Sequence, residues 1–226
     1  MRKRAIQSMS VLFLGLLFGC APMVPGDETN GDARLRVVHA SPDAPAVDVC
    51  ANGVVAFSNA AFPAATEYAA VTAGTYAVRV VATGAGCDSA GVIDASLTLA
   101  ENTDTTVVAL NTLSEIEPLV LADDNGAPAA GNAKVRFVHA SPDAPTVDIT
   151  LTDGTTLFDD VSFKENAGYL EVGAGTVTLQ VRDESGTSVV LSVGPITLES
   201  GKVYTIYAVG FASGSPSLDA LLTVDN

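Results

Sequence analysis

His39, Ser41, Asp43 and Asp48 stand within one short segment, and the same four types return as His139, Ser141, Asp143 and Asp148 in a near-identical setting. Serine, histidine and aspartate together suggest nucleophilic hydrolysis, in which an imidazole takes the hydroxyl proton and a carboxylate orients the ring. A histidine with two aspartates also offers nitrogen and oxygen ligands that suit zinc or manganese. The spacing argues against both. Around a Ser-Pro-Asp-Ala-Pro turn, residues this close in sequence cannot easily set a serine on one side of an imidazole and a carboxylate on the other. Three ligands from one short segment would need a sharply folded turn, and nothing names a fourth.

A structural role accounts for the same residues. Leu35, Val37 and His39 fall on one face of a strand of period two, as do Val135, Phe137 and His139, which directs both histidines inward. A buried imidazole needs a partner, and Asp48, Asp43 or the turn backbone could supply it. Ser41 and Asp43 can accept local backbone N–H groups while Pro42 and Pro45 restrict φ. On this reading the motif is a lock between a strand and the next turn. No catalytic residue, metal or cofactor is expected.

The elements that position the motif come in two sets. Arg36 to Asp48 reappears as Arg136 to Asp148, Asn52-Gly53 as Asp153-Gly154, Ala73-Gly74-Thr75 as Ala174-Gly175-Thr176, and Asp124-Asn125 as Asp225-Asn226. One unit has been used twice in tandem. Short alternating runs divided by Gly, Asn and Asp read as strands throughout. In the first copy they are Arg34 to Ala40, Val47 to Ala51, Val54 to Phe57, Glu67 to Thr72, Thr75 to Ala82, Ser96 to Ala100, Thr105 to Asn111 and Pro118 to Leu121. The fold class predicted is all-β: two tandem antiparallel β-sandwiches, Ig-like or transthyretin-like. Asn-Gly and Asp-Gly each predict a type I′ hairpin. The copies span residues 34–125 and 134–226 with the Gly/Pro/Ala spacer 126–133 between them, and repeats of this size behave as beads on a string, so no solenoid is expected.

The chain opens with Arg2-Lys3-Arg4 and an apolar run from Val11 to Phe18, the layout of an export signal. Residues 1–19 are assigned to that signal and 20–33 to a flexible tether. Cleavage before Cys20 would resemble bacterial lipoprotein processing, with acyl chains on Cys20 as the anchor. This implies a cell-envelope address, favouring the outer membrane, facing either the periplasm or the exterior. With Cys20 acylated, Cys50 and Cys87 remain as a pair in an oxidising compartment, and a disulfide between them is expected. Export would also remove Arg2, Lys3 and Arg4 from the 11 basic residues, leaving eight against 26 acidic ones. Such a balance disfavours nucleic acid as a partner.

Other signals are bland. Tyr68, Tyr76, Tyr169, Tyr204 and Tyr207 sit at strand spacings suited to cross-strand packing. Asp123-Asp124-Asn125 is similar to part of a cadherin calcium linker, but Asp225-Asn226 repeats the ending where no domain follows, which favours a strand-end turn.

The Arg-Val-Val-His-Ala-Ser-Pro-Asp-Ala-Pro motif, the Asn-Gly hairpin, the Ala-Gly-Thr-Tyr strand start and the Leu-Val-Leu-Ala-Asp-Asp-Asn close resemble the bacterial domain-of-unknown-function family numbered 4397. The resemblance covers nearly all of residues 34–226. It implies an exported, often tandem β-domain, common in lipoproteins, without an established activity. The function expected is that of a non-enzymatic, lipid-anchored envelope protein with two binding or spacer modules. Its partners would be the membrane, through Cys20, and an envelope protein or surface polymer. The alternative is a metal-dependent or hydrolytic site at the two turns.

Overall fold

The computed structural model describes residues 31–226. The signal segment, Cys20 and most of the tether lie outside them.

The first copy is built from β1 (Asp32–His39), β2 (Val47–Ala51), β3 (Val54–Ala60), β4 (Ala64–Ala65), β5 (Ala69–Thr72), β6 (Gly74–Ala82), β7 (Ile93–Leu99), β8 (Asp104–Leu110) and β9 (Glu117–Asp123). A single 3-10 turn, Leu113–Glu115, precedes β9. The second copy follows with β10 (Asn132–His139), β11 (Val147–Leu151), β12 (Thr156–Val161), β13 (Asn166–Gly173), β14 (Gly175–Asp183), β15 (Val189–Leu198), β16 (Val203–Val209) and β17 (Asp219–Val224). Each copy is a sandwich of two sheets. In the first, β3-β2-β6-β7 faces β4-β1-β8-β9, with β5 also on β1; in the second, β12-β11-β14-β15 faces β13-β10-β16-β17.

Neither sandwich is wholly antiparallel. β1 runs parallel to β8 and β10 parallel to β16, with Val37 opposite Val107 and Phe137 opposite Ile206. The chain leaves β1, builds the entire second sheet and returns beside it in the same direction, the long crossover that a parallel pair requires. Alternation of side chains is the same in both pairing modes, so the sequence pattern could not distinguish them.

The hairpin turns also differ between copies. Asn52 and Gly53 both have positive φ, 50° and 81°, and join β2 directly to β3 as a type I′ turn demands. At the second site only Gly154 is left-handed, at 89°. Its N–H donates to the Leu151 carbonyl, and Asp153 instead accepts the Thr155 N–H. Asp-Gly therefore makes a longer loop ending in a glycine bulge, not the expected two-residue turn.

The two copies are packed together. Val38, Val108, Leu110 and Leu121 of the first copy and Val138, Tyr207 and Val209 of the second form one buried cluster. The β1 and β10 sheets are thus covered on both faces, one by their own sandwich and one by the other copy. The four sheets stack in layers, and the expectation of independent beads is overturned. Its trace in the sequence is β16, Val-Tyr-Thr-Ile-Tyr-Ala-Val, every residue of which is buried. Such an unbroken run is what a strand covered on both sides shows.

Candidate functional site

Each motif histidine ends the first strand of its copy and turns into the sandwich, as strand parity requires. Both rings are completely buried. His39 Nε2 lies 3.1 Å from the Pro45 carbonyl and His139 Nε2 3.0 Å from that of Pro145. Phe62 and Phe163 meet the two rings edge-on at centroid distances of 6.4 and 6.2 Å. Both Nδ1 atoms are buried without a hydrogen-bond partner. Burial lowers each histidine's pKa below its ordinary value, and the proline carbonyl only partly offsets this. The imidazoles are fastened to the turn backbone, not to Asp43 or Asp48.

The remaining motif residues are engaged elsewhere. Asp48 accepts the N–H groups of Asn59 at 2.8 Å and Gly84 at 2.9 Å, tying β2 to the irregular end of β3 and to the loop after β6. Those amides hold its carboxyl below the usual range. Asp148 accepts the Asp160 N–H at 2.9 Å, the equivalent bond. Asp43 reaches the Leu113 N–H at 2.7 Å, and Asp143 reaches those of Ala212 and Ser213. The expected local turn bonds are replaced by links to loops about seventy residues away, beyond β8 and β16. Ser141 donates to the Gly210 carbonyl, whereas Ser41 Oγ is buried and unpaired. Among the described residues, no motif serine or aspartate is bonded to a motif histidine. The hydroxyl–imidazole–carboxylate relay that hydrolysis needs is not assembled.

The arginine that opens each motif has the larger task. Arg36 Nε donates to Thr106 Oγ1 at 3.1 Å, Thr106 donates to Asp123 at 2.6 Å, and Asp123 accepts Arg136 Nη2 at 2.7 Å. From there Arg136 Nε donates to Thr205 Oγ1 at 3.0 Å, Thr205 donates to Asp225 at 2.5 Å, and Asp225 accepts Arg36 Nη1 at 2.6 Å. Six side chains close a ring across the two copies, each arginine taking the other copy's aspartate. The arginines are at most 2% exposed. Burial disfavours their charge, but nearby tyrosines and aspartates outweigh it and raise both arginines above the ordinary value. Tyr68 lies under Arg36 at 4.6 Å and Tyr169 under Arg136 at 4.7 Å, so these tyrosines are cation–π supports.

Sequence comparison alone missed this ring because its members lie at opposite ends of each copy. The available signal was the repeated ending, read one residue out of step. The ladders place Asp123 opposite Asp104 and Thr205 opposite Thr223, so Asp123 and Asp225 are equivalent. Asp124 pairs with Lys134, and Asn125 donates to Asp104 and Tyr68. All three residues of the calcium-linker look-alike are thus held by neighbours within the protein.

Cys50 and Cys87 form the expected disulfide. Cys50 shares parity with Asp48, on the side of β2 opposite Val47, Val49 and Ala51, so the bridge pins the β6–β7 loop without entering the core. Asp148, Asp159 and Asp160 bring carboxylate oxygens within 4.8 Å of one another, and the two neighbouring charges raise the pKa of Asp159. The first copy has Ser58 and Asn59 there and keeps the same backbone bond, so the shared role of this corner is to close the strand irregularity.

A tandem sandwich of this build, with the Arg-Val-Val-His motif as its internal fastener, defines the class. The sequence profile of the family described as "Domain of unknown function (DUF4397)" matches residues 33–150 and 140–226, and the chain belongs to that family. No curated protein matches. Among solved structures, the C-terminal domain of AlgF from P. aeruginosa is similar at 22% identity, covering 43% of this chain and 99% of that one, with a TM-score of 0.31. A leucine-rich repeat protein from Bacteroides thetaiotaomicron VPI-5482 is 13% identical, with a TM-score of 0.18; the match covers 77% of this chain and 25% of that protein.

Proposed function

We propose that this is a non-enzymatic, lipid-anchored cell-envelope protein whose two sandwiches form one stiff unit, held from the membrane through Cys20. In this reading the tether offers that unit to an envelope protein or a surface polymer. The observation that carries it is the use made of the repeated motif. Both imidazoles are fully buried against backbone carbonyls, and the motif arginines are consumed in joining the copies. Groups so engaged have no lone pair or proton facing a substrate, which favours architecture over hydrolysis or metal chemistry. The Cys50–Cys87 disulfide supports an oxidising compartment, and the export-like leader and acidic surface agree with it.

Fractionation of cells producing the Cys20→Ser chain tests the address. Wild-type protein should sediment with membranes and the variant should be released. Equal retention of both would refute anchoring at Cys20. Outer-membrane placement would show as co-migration with outer-membrane markers on a density gradient.

A further inference from the structure

The two cores are not equally filled. In the second copy Phe137, Ile149, Leu179 and Ile206 belong to one continuous buried cluster. In the first copy the buried residues fall into two separate clusters, and between its sheets lies a cavity of about 690 Å³. The cause can be read along the ladders. The pair Phe137–Ile206 corresponds to Val37–Val107, and Leu151–Leu179 corresponds to Ala51–Val78. Ile149 corresponds to Val49 and Val193 to Ala95. At each of these six positions the first copy carries the smaller side chain. Two positions reverse the trend: Leu35 stands where the second copy has Val135, and Tyr76, opposite Leu97, where it has Val177 opposite Ile196, with the Tyr76 hydroxyl anchored on the Thr72 carbonyl.

We propose that the first sandwich binds an alkyl chain, the acyl tail of a lipid, in this cavity. An apolar cleft of this size that opens at a rim leaves its walls facing water unless an apolar ligand covers them. Apolar walls also hold water poorly. The volume lies in the range of small-molecule sites. Stacked sheets stand only about 10 Å apart, so a space left by shortened side chains is a thin slot, suited to a slender chain. Its walls are mainly Ala, Val and Leu, and no lysine or arginine lines it, so nothing inside would neutralise a carboxylate. The polar head must stay at the rim, where Val54, Val55 and Val120 are 42%, 45% and 51% exposed. His39 borders the cavity but keeps the bonds that His139 has in the filled copy, so it does not distinguish the two.

An acyl tail could come from a membrane lipid or from the protein's own anchor, since Asp32 lines the cavity and Cys20 lies a short way upstream. The cavity proposal does not depend on anchoring and is tested on the full chain carrying Cys20→Ser, stripped of lipid. Titration with cis-parinaric acid should give a saturable, one-to-one rise in fluorescence that palmitate and its methyl ester both reverse. Val37→Phe with Ala51→Leu, which installs the second copy's residues, should abolish binding. Ala51→Leu alone should weaken it several-fold and serves if the double variant folds poorly. No saturable binding, or equal binding by folded Ala51→Leu and double variants, would overturn the proposal. If acylated wild-type protein takes up no probe while Cys20→Ser does, the occupant is the protein's own tail; equal uptake identifies an external lipid.

Discussion

Arg36 is a cation at the centre of the protein, 2% exposed, with Asp225 of the other copy as its counter-ion and Thr106 completing its shell. Removing one member of such a pair strands the other charge away from water. Arg36→Ala should therefore destabilise the protein by about 3–5 kcal/mol, measured by urea unfolding. Arg36→Met with Asp225→Leu, which removes both charges, should cost much less. The histidines make a second, separable contribution. Their folded pKa values lie below 6.5, so the unfolded chain binds more protons as pH falls past that value. Their stabilisation is complete above pH 6.5 and is lost as pH falls toward the depressed folded pKa. Stability should decline there by at most about 1.4 kcal/mol per pH unit for each histidine. His39→Gln with His139→Gln should flatten that part of the profile in a pH series of unfolding curves. An unaltered slope would mean that the rings do not titrate as buried fasteners.

At the scale of elements, strand positions were legible because half-buried strands alternate visibly. Val47–Ala51 was read to the residue and β6 to within one. The inward turn of His39 and His139 followed from the same parity. Pairing direction was not legible, since parallel and antiparallel strands carry the same period. Nor was the partner of the imidazole, because Asp43, Asp48 and the Pro45 carbonyl all lie within a few residues of it and only the path of the turn decides between them. The disulfide was foreseen by cysteine arithmetic, and its place explains why the second copy lacks one. It ties the long β6–β7 loop to β2, where the second copy has a shorter connection from Asp183 to Val189. With its cysteines 37 positions apart in sequence, Cys50→Ser with Cys87→Ser should cost roughly 3–4 kcal/mol on the chain-entropy estimate. Thermal unfolding of the double variant checks this, and hydrogen exchange should place the loss first in the first copy.

For the whole molecule, the copies meet through equivalent surfaces: Arg36 takes Asp225 as Arg136 takes Asp123, and Val38 and Val138 share one cluster. That reciprocity is the relation found between subunits of a two-fold dimer. A single copy holds both halves of the contact, so residues 132–226 produced alone should self-associate, with dimers seen by sedimentation equilibrium. The spacer's composition concealed all of this, because Gly and Pro report how the link can bend and not what the linked surfaces do. Through the repeated motif the two sandwiches should unfold as one cooperative body. Scanning calorimetry of residues 31–226 tests this directly. One transition is expected, with calorimetric and van't Hoff enthalpies in agreement. Two resolved transitions, one for each copy, would contradict it.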